Sequence, residues 1–321
     1  MARRLNLFLL TMIVLVGVPF YWLMIDNRPG DVAAKPVSMA QLRTLAASLP
    51  GPSPIAVEYE PSALRLLPRG LFAAGYGIKR HPIIVTAFRL PVPGGKPILI
   101  DSGIHPDDAD AMGMDIRYPG AQSRIDKALK SAGMILFTHE HPDHMGAALR
   151  LGGAVMQSAR FNAAQLPAEP LAGTLKWPSG FTPRSTIAAK APQAVAPGVV
   201  VIPAPSHTPG SQMIFVRLAD GKEFLFAGDI ATLDVSWQEQ RARSRLVGDF
   251  IAKENRAEVH AWLRTIARLK AEAPALNIVP GHDIRQTGDD DEASQDEASG
   301  VPLQPGWAAA AKRGFSADLP I

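Results

Sequence analysis

The sequence predicts an α/β domain, in the broad sense that includes α+β, preceded by one membrane-spanning helix. Short apolar runs bounded by glycine and proline recur from residue 55 onward, and helical patterns lie between them. Such interspersed strands and helices are typical of layered domains that contain both elements. An uncharged stretch near the N-terminus is long enough to cross a bilayer. The 321 residues fit one large domain or two small ones.

The N-terminal segment predicts a single-pass anchor. No charged residue occurs from Leu5 to Ile25, and a helix of that length spans roughly the 30 Å of the hydrocarbon core. Arg3 and Arg4 precede the stretch, which keeps the N-terminus in the cytoplasm and the following domain on the exported, periplasmic side. The alternative is a signal peptide cleaved at the small residues 32–34. The apolar stretch is longer than a signal peptide needs, which favours the uncleaved anchor.

Composition along the chain predicts four parts. The segment after the anchor is rich in proline, glycine and alanine, which indicates a linker with one short helix. The chain ends in an acidic, serine-rich and alanine-rich segment, for which we expect disorder. The predicted parts are the anchor at 1–30, the linker at 31–54, the catalytic domain at 55–285 and the tail at 286–321.

Hydrophobic periodicity predicts the elements of the central domain. The clearest helix has five apolar residues on one face, between residues 255 and 272. The other helical patterns cover residues 38–48, 122–132 and 144–151. Candidate strands cover residues 55–60, 71–76, 83–90, 97–101, 134–138, 154–157, 199–203, 212–218, 223–228 and 277–280.

The composition limits the possible ligands and partners. The chain has no cysteine, so a bound metal would have to use histidine, carboxylate or backbone oxygen. The formal net charge is +3, and the basic residues are scattered along the chain rather than clustered. A nucleic-acid surface needs a concentrated basic face, so we expect no nucleic-acid partner.

The strongest chemical signal is the pattern His-x-His-x-Asp-His directly after an apolar strand. His139 and His141 are two residues apart and can converge on one metal ion, whereas Asp143 and His144 can turn towards a second. Three of the eight histidines fall within this pattern. Scattered surface histidines rarely cluster in this way with an aspartate, so the motif predicts a metal site.

This motif and four others resemble the metallo-β-lactamase superfamily. The others are Ile-Leu-Ile-Asp-Ser-Gly at 98–103, Ser-His-Thr-Pro-Gly-Ser at 206–211, Phe-Ala-Gly-Asp at 226–229 and Pro-Gly-His-Asp at 280–283. They occur in the family's order over roughly residues 60 to 285. The resemblance implies a four-layer αβ/βα sandwich and a metallohydrolase activity. It is closer to the lactonase and glyoxalase II-like branches than to true β-lactamases, which lack a bridging aspartate.

The resemblance also implies a ligand set for two divalent ions. Zinc is the first expectation, with iron or manganese as alternatives, since the donors are nitrogen and carboxylate oxygen. Asp101 is expected to hydrogen-bond to a ligand histidine rather than to bind metal. The implied ligands are His139, His141 and His207 for one ion, Asp143, His144 and His282 for the other, and Asp229 as the bridge between them.

The implied activity is hydrolysis of a small-molecule ester, lactone or thioester. In this mechanism a hydroxide shared by the two metals attacks the carbonyl carbon. Asp143 or Asp229 then passes a proton to the leaving group, which makes these two the catalytic residues. No signature in the sequence chooses among the three substrate classes.

Other activities stay open at this point. A mononuclear iron enzyme of the sulfur dioxygenase type could use the same three histidines, and bound iron with oxygen consumption would distinguish it. A phosphodiesterase is another alternative, against which the anchor and the lack of a basic cluster weigh. A purely structural metal site would need only four closed ligands, fewer than the seven implied here.

Several remaining polar residues have simpler interpretations. His81 precedes a strand and is expected to be structural, while His105 is expected on a surface loop. His260 is expected to pack on the long helix. Glu140 should point away from the metals. The segment Arg241–Arg245 fits either a loop that faces the substrate or a solvated stretch.

Overall fold

The computed structural model describes residues 2–28, 30–167, 174–188, 190–283 and 310–315. Within these residues the strands form two sheets. The eight strands of the first sheet are β1 (Glu58–Pro68), β2 (Arg80–Leu90), β3 (Ile98–Ile100), β4 (Ile116–Arg117), β5 (Met134–Leu136), β6 (Ala159–Asn162), β7 (Ser185–Ile187) and β13 (Lys312–Arg313). Their order is β13-β1-β2-β3-β5-β6-β7, and β4 also pairs with β1.

The second sheet has five strands. They are β8 (Gln193–Ala196), β9 (Val199–Pro203), β10 (Gln212–Arg217), β11 (Glu223–Gly228) and β12 (Asn277–Pro280). Their order is β12-β11-β10-β9-β8.

Helices surround the two sheets and precede them. They are α1 (Ala2–Ile25), α2 (Met39–Ala46), α3 (Arg69–Phe72), α4 (Pro106–Ala111), α5 (Pro119–Ser131), α6 (Ala147–Arg150), α7 (Gly153–Met156), α8 (Asp234–Gln238) and α9 (Arg256–Glu272). A π-helical turn, Pro142–Gly146, leads into α6, and another, Leu246–Ile251, precedes α9.

Three apolar clusters stack these elements into four layers. Side chains from both sheets form the central cluster, in which the rings of Phe88 and Phe226 meet edge to face at 4.9 Å. A second cluster joins the first sheet to α5 and α6. A third joins the second sheet to α2 and α9, which begins after Asn255 as predicted. The resulting helix–sheet–sheet–helix order confirms the predicted sandwich.

Strand direction brings the predicted site residues to one edge of the sandwich. β3 and β5 run parallel, and so do β11 and β12. β9 is antiparallel to β10, which is antiparallel to β11, so β9 and β11 share a direction. Strands β3, β5, β9, β11 and β12 each end one to four residues before a predicted site residue. The loops that follow them can therefore converge on one centre.

The predicted strands 71–76 and 154–157 are wrong, because the first is the end of a helix followed by a turn and the second is a short helix. Residues 69–72 form α3, because the Gly70 N–H donates to the Gly77 carbonyl and closes a tight loop. Residues 153–156 form α7 after Gly152, whose φ of 92° suits glycine. β1 runs further than predicted because a register shift after Pro61 accommodates the proline within the sheet.

The predicted linker packs against the domain. Its short helix is confirmed as α2, with Ser38 as the N-cap. Met39 and Leu42 of α2 are buried in the cluster that contains α9, and Lys35 N–H donates to Thr265 Oγ1 at 2.7 Å. The segment is therefore part of an outer helical layer rather than a free connection.

The predicted tail is described only at residues 310–315; the rest of it lies outside the described residues. Lys312 and Arg313 pair in parallel with β1, and the Phe315 N–H donates to Glu60 Oε2 at 3.1 Å. These six residues thus belong to the edge of the first sheet, which differs from the disorder expected from composition.

Candidate metal centre

Four predicted ligands converge in a first ligand group, formed by His139, His141, His207 and Asp229. His141 Nδ1 lies 3.0 Å from His139 Nε2 and 3.2 Å from His207 Nε2. Asp229 Oδ2 lies 3.8 Å from His139 Nε2 and 3.6 Å from His207 Nε2. Tetrahedral ligands about 2.0–2.1 Å from a zinc ion would be roughly 3.3 Å apart. The spacing of the donor atoms therefore fits such an ion.

The second ligand group consists of Asp143, His144 and His282. The Nε2 atoms of the two histidines are 3.3 Å apart, and Asp143 Oδ2 lies 3.8 Å from His144 Nε2 and 3.6 Å from His282 Nε2. Asp229 Oδ1 approaches the same nitrogens, at 3.0 Å from His282 and 3.7 Å from His144. Asp229 thus offers one oxygen to each group, as a bridging ligand would.

Burial keeps the first-group histidines neutral. It lowers the pKa of His139 and His207 well below the usual value and that of His141 to about 3, with neighbouring positive groups adding to the effect. A neutral imidazole keeps a lone pair for a metal. Three neutral rings whose nitrogens converge with a carboxylate oxygen fit a metal site.

The second-group histidines differ. Burial alone would lower the pKa of His144, but Asp101, Asp143 and Asp229 outweigh it and raise the pKa to about 10. The pKa of His282 is also raised, because Asp229 outweighs the effect of burial. At a pKa of about 10 the His144 ring is protonated near neutral pH in the metal-free chain, so a metal ion must displace its proton.

Asp101 holds His144 in place, in the position that the sequence predicted. Its Oδ2 lies 2.9 Å from His144 Nδ1 and accepts from Thr138 Oγ1 at 2.8 Å, while its Oδ1 accepts from the Thr138 N–H at 2.7 Å. Asp101 adopts a φ of 58°, a left-handed conformation that few residues other than glycine take. These bonds leave His144 Nε2 directed at the second group.

Glu254 orients His207 and was missed by the sequence analysis. Its carboxylate Oε2 lies 3.1 Å from His207 Nδ1, and its side chain has no exposed surface. This contact leaves Nε2 free to face the first group. No motif surrounds Glu254, and it is 47 residues from its partner, so local sequence carries no signal for it.

Replacing Glu254 by glutamine is expected to lower metal affinity at the first group, or turnover, by roughly 10- to 100-fold, because partners that orient ligands typically contribute that much. Competition with a chelator would measure the affinity. Glu258→Gln is the matched control, since the Glu258 side chain is 36% exposed and its carboxylate pairs with Lys35. Equal metal affinity and equal turnover in Glu254→Gln and Glu258→Gln would show that Glu254 does not orient His207.

Arg243 also reaches the first ligand group. Its Nη2 lies 2.5 Å from Asp229 Oδ2, its Nη1 lies 3.1 Å from His207 Nδ1, and its Nε donates to Thr232 Oγ1 at 3.1 Å. The side chain is buried, whereas that of Arg241 is 31% exposed and pairs with Glu239. The two arginines of this segment therefore differ: Arg243 reaches the site, whereas Arg241 lies outside it and donates to the Ala74 carbonyl at 2.7 Å. A metal ion and Arg243 would compete for the same oxygen.

Gly281 makes room for the Asp229 carboxylate. A Cβ at this position would lie 2.1 Å from Asp229 Oδ1 and 3.0 Å from the Gly228 carbonyl carbon. The close approach of the loops after β11 and β12 therefore requires glycine.

Gly281→Ala is expected to displace the Asp229 carboxylate and weaken binding of the second metal ion, with a smaller loss of thermal stability. Metal content after dialysis, together with a melting curve, checks this. Gly153→Ala is the control, because a Cβ there would meet no atom within 4 Å. Unchanged metal content in Gly281→Ala would contradict the assigned position of Asp229.

The other polar residues considered from sequence lie outside both ligand groups. Glu140 points away from the groups, accepting from Thr208 Oγ1 at 2.7 Å and from the Gly210 N–H at 2.8 Å, and so joins two ligand loops. His81 Nε2 lies 3.4 Å from Asp283 Oδ1. His105 caps α4 through its Nδ1. His260 is buried in α9.

Comparison with known proteins supports the same family. The family model described as "Beta-lactamase superfamily domain" matches residues 97–286, more than half of the chain. A search of curated proteins found no match.

Solved structures share the fold at low sequence identity. A quorum-quenching N-acyl homoserine lactone lactonase is 16% identical with a TM-score of 0.56, over 73% of this chain and 95% of that one. An N-acyl homoserine lactone hydrolase with its product at the catalytic metal centre is 17% identical with a TM-score of 0.55, over 72% and 94%. A probable metal-dependent hydrolase from Staphylococcus aureus is 13% identical with a TM-score of 0.53, over 73% and 91%. The family match and the four-layer fold together show that this chain belongs to the metallo-β-lactamase superfamily.

Proposed function

We propose that this protein is a dinuclear metallohydrolase that cleaves an ester, lactone or thioester bond of a small molecule. The observation that carries the proposal is the placement of Asp229, whose two oxygens face two separate ligand groups. Divalent ions held there would polarise a carbonyl oxygen and lower the pKa of water towards neutrality.

The donor chemistry favours zinc, with iron or manganese as alternatives. The first ion would be held by three neutral histidines and the second by two histidines and a carboxylate, with Asp229 between them. Seven ligands in two groups exceed what a closed structural site requires, which supports a catalytic rather than a structural role.

Asp229 is poorly suited to carry a proton. Although burial alone would raise it, His282 and Arg243 hold the pKa of Asp229 well below its usual range. A carboxylate with so low a pKa stays ionised, so no proton has to leave when a metal binds, and it is a weak proton acceptor. We therefore assign proton transfer to the leaving group to Asp143 and the bridging role to Asp229.

Arg243 adds a buried positive charge at the reacting centre. Hydrolysis of an ester, lactone or thioester produces a carboxylate, and a guanidinium is well suited to bind one. Its position beside Asp229 and His207 supports a role in holding the reacting carbonyl oxygen or the product carboxylate.

Turnover of the metal-loaded protein tests the proposal. The panel contains N-acyl lactones, thioesters, simple esters and β-lactams; lactones come first because two of the structures with this fold are named for that activity. We expect the protein to hydrolyse a lactone, thioester or simple ester. This hydrolysis should stop when a chelator removes the metal and resume when zinc is added, which would support the proposed hydrolase. Oxygen consumption on a persulfide with iron, without hydrolysis, would support the sulfur dioxygenase instead.

We also propose that α1 anchors the catalytic domain to a membrane, on the exported, periplasmic side. α1 has a mean hydropathy of 2.3 and no buried residue in its apolar window, a pattern that a signal sequence shares. Asp26, directly after α1, is itself buried and its Oδ2 lies 3.4 Å from Arg245 Nη2. Cleavage at residues 32–34 would remove this contact, which supports the uncleaved anchor and a catalytic unit that begins near Asp26.

The mass of the mature protein tests the anchor. We expect α1 to be retained and the protein to sediment with membranes until detergent is added. A mature N-terminus near residue 35 would show that the segment is a signal peptide.

A further inference from the structure

The end of α1 contacts a turn of the catalytic domain. The rings of Trp22 and Phe250 meet edge to face at 6.1 Å, and the Arg245 guanidinium lies 5.6 Å from the centre of the Trp22 ring. Phe250 belongs to the π-helical turn Leu246–Ile251, here named the 246–251 turn. Phe250 is 57% exposed and Ile251 is 70% exposed. Two large apolar side chains thus face outward beside the apolar helix.

The contact sets the height of this turn relative to a bilayer. Trp22 is three residues before the end of α1 at Ile25, which corresponds to about 4.5 Å along the helix axis. Tryptophan prefers the interface between hydrocarbon and headgroups. A side chain that packs against Trp22 therefore lies where the helix leaves the membrane.

Hydrogen bonds hold the helix end to the domain. The Gly75 N–H donates to the Met24 carbonyl at 2.9 Å. Asn27 Nδ2 donates to the Gln240 carbonyl, and Asn27 Oδ1 accepts from the Ala242 N–H, both at 3.0 Å. The domain cannot swing away from α1 without breaking these bonds. Insertion of α1 therefore brings the 246–251 turn to the membrane surface.

We propose that the 246–251 turn is a membrane-docking element, with Phe250 and Ile251 inserted among the lipid headgroups beside α1. The proposal rests on the proposed anchor and commits to lipid as the occupant. Lys253, exposed two residues further on, adds a positive charge at headgroup level. The segment places two apolar residues next to a basic one, a pattern that suits the interface.

Docking would hold the metal centre close to the bilayer. Arg243, which contacts Asp229, is seven residues before Phe250, so the two are at most about 25 Å apart along the chain. An amphiphilic ester-type substrate could then keep its apolar part in the membrane while its carbonyl reaches the ligand groups.

The absence of cysteine makes a direct test simple, because one introduced cysteine takes one label. Full-length Ile251→Cys, labelled with an environment-sensitive fluorophore, is reconstituted in phosphatidylcholine–phosphatidylglycerol vesicles with or without lipid-borne nitroxide quenchers. Asp220→Cys, in the exposed turn between β10 and β11, is the matched control. We expect blue-shifted emission and several-fold stronger quenching at position 251 than at position 220.

Every alternative result of this experiment would overturn the proposal, and each can be told apart from the others. Equal, water-like emission at both positions would show that the turn does not contact lipid. Shielded emission at 251 without quenching by lipid nitroxides would place protein, such as a second copy of the chain, on the turn. Failure of the full-length chain to remain with the vesicles would refute the anchor together with docking. None of these results depends on hydrolysis, so the proposed activity is tested separately.

Discussion

Asp229→Ala is expected to abolish measurable turnover and to release the second metal ion, while secondary structure stays close to that of the wild type. The variant removes both oxygens that face the two ligand groups. Loss of a residue that only orients a ligand costs roughly 10- to 100-fold, so loss of the bridging ligand should exceed about 100-fold. Metal content, turnover and circular dichroism of the same sample measure the three effects.

The matched control for this prediction is Asp220→Ala. Asp220 is an exposed aspartate whose carboxylate pairs with Lys222 at 2.6 Å, in the turn that precedes β11. We expect this variant to keep full activity and both metal ions. Full activity in Asp229→Ala would refute the two-metal mechanism, whatever the metal content.

Metal binding at the second ligand group is expected to strengthen steeply with pH. Asp101, Asp143 and Asp229 outweigh burial and raise the pKa of His144 to about 10, so the metal-free ring carries a proton throughout the neutral range. Binding through Nε2 must release that proton. Each proton released strengthens binding about tenfold per pH unit below the pKa, so affinity should rise at least about 100-fold between pH 6 and pH 8.

The first ligand group supplies the internal comparison. Burial lowers the pKa of His139, His141 and His207, so these rings are already neutral and release no proton when a metal binds. Calorimetric titrations in buffers of different ionisation enthalpy would count the protons released by each ion. Equal proton release and equal pH dependence for the two ions would contradict this assignment of charge.

Most of the site residues could be predicted because they lie in short sequence motifs. The seven predicted ligands each follow a strand or lie on an adjoining loop, and the structure brings them together at one edge of the sandwich. Asp101 was predicted from the resemblance of residues 98–103 to a family motif, and the structure places it directly after β3, which pairs with the strand that precedes the main motif. Side chains near the ends of neighbouring strands converge whenever the strands are aligned, so motif order is informative about this kind of site.

Contacts made through distant loops could not be predicted in this way. Glu254 and Arg243 reach His207 from the segment between α8 and α9, which has no motif of its own. The same segment carries Phe250 to the end of α1. Only tertiary packing reveals these contacts.

The fold was predicted better for buried strands than for edge elements. Strands β9 to β12 have apolar residues buried on both faces, so their continuous apolar runs were recognisable. The short strands β4 and β13 contain only two residues each and are exposed. Their pairing depends on β1 rather than on their own sequence.

Metal stoichiometry tests the central claim most directly. The protein is expressed in zinc-supplemented medium, dialysed without a chelator at pH 8 and subjected to elemental analysis alongside Asp229→Ala. The two ligand groups predict close to two zinc ions per wild-type chain and fewer in the variant. One ion per chain in both proteins, or a single iron in the wild type, would contradict a dinuclear centre bridged by Asp229.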